Sequence, residues 1–235
     1  EAFENYRQFT LRQAKRDPAD DTATCTTILR LLPRLQELTL GHVQMWSWRR
    51  RGNAKYTRLR RRIWMSALYK DSIGAVAGLL LPLLHHFPQI RDLTVHGTLD
   101  SFDLNNCGSF FTSHVRRLRL ESLLVFHEAP SSVKRFLRSF PDLEEVTMKF
   151  ASNNEHTATL LQDIHWPRLR KLALQDTWTT ADTLISLIDR HRALEEVKMR
   201  DTKLFTGAWY PVLGHARARH PLVHIECDGF LDSID

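Results

Sequence analysis

The sequence predicts an α/β protein built as a curved solenoid, with a parallel sheet on its concave side and helices on its convex side. Three observations predict it. An apolar residue followed by others at i+3 and i+5 recurs seven times in 235 residues. Taking the middle residue as register, the steps are 55, 25, 28, 26, 25 and 28, and five of the six fall in the leucine-rich-repeat range. Between these instances several stretches switch from period 2 to period 3.6, the mark of a strand followed by a helix. Neither layer buries its apolar face alone, so stacked units are needed for stability.

The elements follow in chain order. Residues 1–32 read as an N-terminal helical flank, with Asp20 and Asp21 capping the helix that follows. The rest, 33–235, reads as about seven leucine-rich repeats of the ribonuclease-inhibitor-like form, all in one domain. Their apolar triplets are Leu35/Leu38/Leu40, Ile90/Leu93/Val95, Val115/Leu118/Leu120, Leu143/Val146/Met148, Leu169/Leu172/Leu174, Leu194/Val197/Met199 and Leu222/Ile225/Cys227. The step of 55 spans about two units, so a degenerate repeat or an insertion separates Leu40 from Ile90. Helices are expected at 71–87, which is the most apolar, and at 132–140, with Val133, Phe136, Leu137 and Phe140 on one face. Further helices are expected at 157–164 (Leu160, Leu161, Ile164), at 183–191 (Leu184, Leu187, Ile188, with Thr179, Thr180 or Asp182 as N-cap), and at 207–216 (Trp209, Val212, Leu213, Ala216). The Asn or Cys that usually follows the strand is replaced by Val43, Thr98, Leu123, Ala151, Thr177, Thr202 and Phe230, of which the threonines retain a hydroxyl for the turn.

Composition sets the class. With 43% hydrophobic residues, 26% charged and 9 Gly, the chain is neither disordered nor collagenous, and 3 widely spaced Cys are too few for a disulfide scaffold. Reduced thiols and the lack of a secretory h-region point to a cytoplasmic or nuclear location. The longest apolar run, 73–84, contains Pro82 and is short of the roughly 20 residues a bilayer needs, so no membrane partner is expected.

Strand alternation sends three columns of side chains to the concave face. The first is Glu37, Asp92, Arg117, Glu145, Lys171, Glu196, His224, and the second is Thr39, Thr94, Arg119, Thr147, Ala173, Lys198, Glu226. The third is Gly41, His96, Glu121, Lys149, Gln175, Arg200, Asp228. Charges alternate in sign from strand to strand, so the face reads either as self-neutralised and solvated or as a protein-recognition surface. In the second reading Arg117, Arg119 and Arg200 supply forked donors for carboxylates or a phosphate, although the columns hold no aromatic residue.

The most distinctive segment is an expected basic insertion at 46–64. Arg49, Arg50, Arg51, Lys55, Arg58, Arg60, Arg61 and Arg62 carry eight positive charges with no acid among them, flanked by Trp46, Trp48 and Trp64. The remaining chain has 25 bases against 27 acids, so the protein is not basic as a whole; one segment is. A solvated loop or nuclear-import address, an acidic or phosphorylated protein partner, and nucleic acid all suit this composition. Trp46, Trp48, Arg49, Arg50, Arg51, Arg58, Arg60, Arg61 and Arg62 are its candidate partner-binding residues.

Catalytic signatures do not emerge. GxGxxG, GxxxxGK[ST], GxSxG and HExxH are all missing, so no catalytic residue, cofactor or metal site is expected. His85 and His86 suit a helix C-terminus. His215, His220, His224 and Cys227 have spacings a metal site could use, but Arg217 and Arg219 would repel the cation.

The opening AFENYRQF, the stretch DPADDTATCTTILRLLPRLQELTL and the later PxLxxL units resemble fungal F-box proteins with leucine-rich repeats. Phe3, Tyr6, Asp21, Leu32, Pro33, Arg34 and Leu35 stand at matching places. The resemblance implies a substrate receptor that hands proteins to a cullin-type ubiquitin ligase. The F-box itself, the three-helix motif that grips the ligase adaptor, is not found in these residues, so adaptor binding is expected only with an upstream F-box. The expected function is therefore a non-enzymatic protein-recognition module, with a nucleic-acid-binding or nuclear repeat protein acting through 49–62 as the alternative.

Overall fold

The computed structural model describes residues 4, 18–41, 83–100, 114–124, 130–150, 160–219 and 224–228. They form a mixed α/β fold with a parallel sheet. In chain order the elements are α1 (Pro18–Arg30), β1 (Glu37–Gly41), a 3-10 turn at Leu84–His86, β2 (Asp92–Asp100), β3 (Arg117–Leu124), α2 (Pro130–Arg138) and β4 (Glu145–Phe150). Then come β5 (Lys171–Gln175), β6 (Trp178–Thr180), α3 (Ala181–Arg190), β7 (Glu196–Arg200), β8 (Lys203–Thr206), α4 (Trp209–Arg219) and β9 (His224–Asp228).

Seven of these strands make one sheet in the order β1-β2-β3-β4-β5-β7-β9, every pair parallel. Each strand lies beside its predecessor in the chain, with β6 and β8 set apart as a two-stranded sheet of their own. The register is the predicted one: Leu38, Leu93, Leu118, Val146, Leu172, Val197 and Ile225 align across the sheet. One ladder seats β2, β3, β4, β5 and β7 at their starts. Arg91 N–H donates to Gln36 O, Arg116 to Arg91, Glu144 to Arg116, Arg170 to Glu144 and Glu195 to Arg170, all at 2.7–2.8 Å. β1 pairs directly with β2, so no repeat strand intervenes in the sheet between Leu40 and Ile90.

Alternation divides the sheet into a covered and an open face. Leu93, Leu118, Val146, Leu172 and Val197 are buried in one core with Val133, Phe136 and Leu137 of α2, Leu160, Leu161 and Ile164, and Leu184, Leu187 and Ile188 of α3. The faces of α2 and α3 are those the periodicity predicts; of the helix expected at 157–164, only Leu160 and Leu161 are helical among the described residues, and Ile164 is buried beyond a turn at 162–163. The convex-side segments are tied together: Lys134 Nζ of α2 meets Asp163 in the turn at 162–163 at 2.9 Å, Arg190 of α3 donates to Leu161 O at 2.9 Å, and His215 Nε2 of α4 lies 2.9 Å from Asp189 of α3.

Local chemistry fixes the ends of the elements. Thr180 is the N-cap of α3, its hydroxyl accepting from the Thr183 N–H at 3.1 Å. Two consecutive units leave their strand through an aspartate at positive φ, Asp176 (54°) and Asp201 (49°), a conformation aspartate tolerates better than most residues. The next residue is a fully buried threonine whose hydroxyl donates to the carbonyl two residues back, Thr177 to Gln175 and Thr202 to Arg200. The threonine thus supplies the turn hydrogen bond at the position where Asn or Cys was expected.

Several expectations are corrected. Asp20 and Asp21 lie inside α1 rather than before it, because the helix begins at Pro18, a residue suited to the first helical turn. Leu213 does not join Val212 and Ala216 in the core; it is exposed, and so is Tyr210. At Leu84–His86 the chain forms a 3-10 turn with Leu84 buried, while 71–82 lies outside the described residues, as do Cys107 and 157–159. The third column of the open face is interrupted: irregularities between Val95 and Thr98 and between Leu120 and Leu123 break the pairings of His96 with Glu121 and of Glu121 with Lys149.

Candidate functional site

The open face begins at the strands' own side chains, and in its first two columns neighbours lie as alternation predicts. Glu37, Asp92, Arg117, Glu145, Lys171, Glu196 and His224 are in register, and so are Thr39, Thr94, Arg119, Thr147, Ala173, Lys198 and Glu226. Adjacent parallel strands hold such neighbours about 4.8 Å apart, close enough for long side chains to pair across the rungs.

Most of the charges do pair. Arg117 grips Asp92 with both arms of its guanidinium, Nε to Oδ1 and Nη2 to Oδ2, each at 2.6 Å. That fork raises the Arg117 pKa further. Lys171 sits between Glu145 at 3.4 Å and Glu196 at 3.9 Å. Lys198 sits between Glu226 at 3.0 Å and Glu196 at 3.1 Å, which raises its pKa, while the lysine holds the Glu226 carboxyl below its ordinary value. Lys149 reaches Asp176 at 3.7 Å. These pairs face water and are screened by it, so each contributes little to stability.

Ala173 leaves a gap in the second column. Around it Glu145, Val146, Thr147, Lys171, Leu172, Glu196 and Lys198 line a shallow depression of about 170 Å³. Its charged walls are two ion-paired lysines and two glutamates, so the depression is close to neutral.

The three arginines foreseen for this face differ in what surrounds them. The Arg117 fork is filled by Asp92. Arg119 is exposed, stands between Thr94 and Thr147, and has no ion pair or hydrogen bond among the described residues. Arg200 is exposed in β7, opposite Asp228 in register. The sheet brings Arg117 and Arg119 onto one strand, with Arg200 three rungs away. Trp46, Trp48, Arg49, Arg50, Arg51, Arg58, Arg60, Arg61 and Arg62 lie outside the described residues, as do Phe3 and Tyr6.

The histidines are engaged separately. His215 is paired with Asp189, His224 lies 3.6 Å from Glu226, and the His85 and His86 rings lie with centroids 3.5 Å apart and planes tilted by 43°. His114 is held below its ordinary pKa by burial. Among the described residues no three His, Cys, Asp or Glu side chains gather as a metal site. Cys25 and Cys227 are free thiols, and burial raises the Cys227 pKa. No helix among the described residues is long and apolar enough to cross a membrane.

What sequence reasoning missed is the Ala173 depression. Its signal is one small residue in a column of Thr, Arg and Lys, legible only once the columns are aligned. Comparison of the chain with family models, with curated proteins and with solved structures finds no match.

Proposed function

We propose that the chain is a leucine-rich-repeat solenoid of the ribonuclease-inhibitor-like form, acting as a non-enzymatic protein-recognition module through the open, concave face of its sheet. The observation that carries this reading is the parallel pairing of seven strands in chain order, continuous in register through the first two columns, with one face buried under helices and the other left to solvent. Stacked units of this kind present extended surfaces to partners rather than a single deep pocket. The shallow, charge-neutral relief around Ala173 suits a partner's surface better than a small substrate. In its leading form the chain is the substrate-binding repeat region of an F-box-type ubiquitin-ligase receptor, a version that rests on the resemblance carried by Phe3, Tyr6, Asp21 and Leu32 to Leu35.

The alternative, nucleic-acid or nuclear function through the basic arm 49–62, draws support from eight bases uninterrupted by acid. One experiment separates the two. The intact chain and a chain with those eight bases changed to Ser or Gln are used for affinity capture from a fungal extract, with and without added nuclease. Protein partners retained by the neutralised chain support recognition by the concave or helical surfaces rather than by the arm. Nucleic acid, or partners lost with the charges, would overturn it in favour of the arm, and that binding would weaken steeply with salt.

A further inference from the structure

We propose that Arg119, with Thr94 and Thr147 on either side, forms a subsite for one carboxylate side chain, Asp or Glu, of a partner protein segment laid on the open face. The proposal rests on the recognition reading above and narrows it to one place and one chemistry.

Charge accounting singles out the position. Arg117 is neutralised by Asp92, Lys171 by Glu145 and Glu196, Lys198 by Glu196 and Glu226, and Lys149 by Asp176. Arg200 is engaged as well. Arg119 is the exception: an exposed guanidinium in the middle of the face, without an ion pair or hydrogen bond among the described residues. A fixed cation surrounded by satisfied pairs attracts an anion that none of its neighbours competes for.

The neighbours define which anion. Thr94 of β2 and Thr147 of β4 flank Arg119 in register, each about 4.8 Å away along the sheet. Two hydroxyl donors beside a planar fork suit a carboxylate, which takes the fork bidentately and has lone pairs left for the hydroxyls. A phosphate monoester carries about −1.5 to −2 charge at neutral pH. Here one uncompensated positive charge is available, and Glu121, two residues along the same strand, adds negative charge nearby. The balance favours a single negative charge. Thr147 also lines the depression over Ala173, so a side chain beside the acid has a place to settle.

The test uses the full chain, isotope-labelled for amide NMR, and three end-capped probes: Gly-Ser-Glu-Ser-Gly, the same peptide with Gln for Glu, and the same with phosphoserine for Glu. The Glu peptide is expected to shift the amides of Thr94, Arg119 and Thr147, with the Gln peptide about tenfold weaker. Arg119→Gln is expected to weaken the Glu peptide about tenfold, and Lys134→Gln, on the helical side, to leave it unchanged. Equal binding of Glu and Gln peptides, a response centred elsewhere, or no effect of Arg119→Gln would overturn the subsite. A phosphoserine peptide binding tenfold tighter than the Glu peptide would overturn the single-charge match. If the neutralised chain retains its captured partner while the peptide response is missing, the subsite is wrong and the recognition reading stands. If the peptide response tracks Arg119 while capture fails, the subsite stands without that reading.

Discussion

His191 accepts a hydrogen bond at Nε2 from the backbone N–H of Trp166 at 3.0 Å, a bond spanning 25 residues of chain between neighbouring units. Its Nδ1 lies 2.7 Å from the carbonyl oxygen of Leu187 and carries the proton that bond needs, so the ring is neutral and its tautomer fixed. The ring is fully buried, and the Trp166 indole packs beside it with centroids 5.8 Å apart.

That geometry gives the fold an acid sensitivity. Burial, with smaller contributions from His165 and Arg190, lowers the His191 pKa to about 4. The unfolded chain takes up this proton near pH 6.5 and the folded chain does not, so stability is full above about 6.5 and is lost as pH falls toward about 4. The loss expected from this one group is about 3 kcal/mol. Denaturant unfolding from pH 7.5 to 4 checks it. His191→Leu should cost about 2 kcal/mol at pH 7.5 by orphaning the Trp166 N–H, and should flatten the slope. A slope unchanged in His191→Leu would place the sensitivity elsewhere.

Gly207 meets its neighbour so closely that no side chain fits. Its φ is +84°, and a Cβ built there would lie 2.5 Å from the Ala181 Cβ. Gly207→Ala is expected to cost about 2 kcal/mol or more by strain and overlap together. Adding Ala181→Gly should relieve the overlap and leave the φ strain, so the double variant should melt above the Gly207→Ala single. Equal melting of the two would mean that the overlap is not what costs.

Leu172 is 1% exposed and sits between Val146 and Val197 in register. Leu172→Asp would bury an uncompensated carboxylate in the middle of the core, at a cost of about 4 kcal/mol or more. The expected result is loss of the cooperative thermal transition followed by circular dichroism. A normal melt would contradict the observed burial.

Removing 50–61 should leave the sheet intact, because β1 contacts β2 through its own register, Glu37 with Asp92 to Gly41 with His96. Circular dichroism and a melt within a few degrees of the parent are expected. A collapsed sheet signal would make the basic segment structural and would weaken its reading as an arm.

The sheet register was legible in sequence because one apolar triplet recurs at nearly constant spacing, so Leu38 and Ile225 could be aligned without any structure. The pair β6 and β8 was not, since Trp178–Thr180 and Lys203–Thr206 are too short to show alternation. The repeated Asp-Thr at 176–177 and 201–202 is the signal that marks them. His191 closes the helix expected at 183–191, and that periodicity alone does not mark it as buried. Its position, three before the first apolar residue of the triplet, holds Phe87, Phe140 and Trp166 in other units, all buried. An imidazole in an aromatic column is a core residue, whatever its polarity suggests. Arg117 and Arg119 look alike in sequence, and only the fork closed on Asp92 separates them.

Strands that pair in chain order also set an order of assembly. From β2 to β9 every rung of the main sheet closes over 25 to 28 residues, so no pairing waits for the chain ends to meet and growth can spread both ways from a central pair such as β4 and β5. The rung between β1 and β2 must close 55 residues, an entropic penalty larger by about 0.7 kcal/mol. β1 is therefore the last rung to zip shut and the first to fray, and hydrogen exchange should be fastest there.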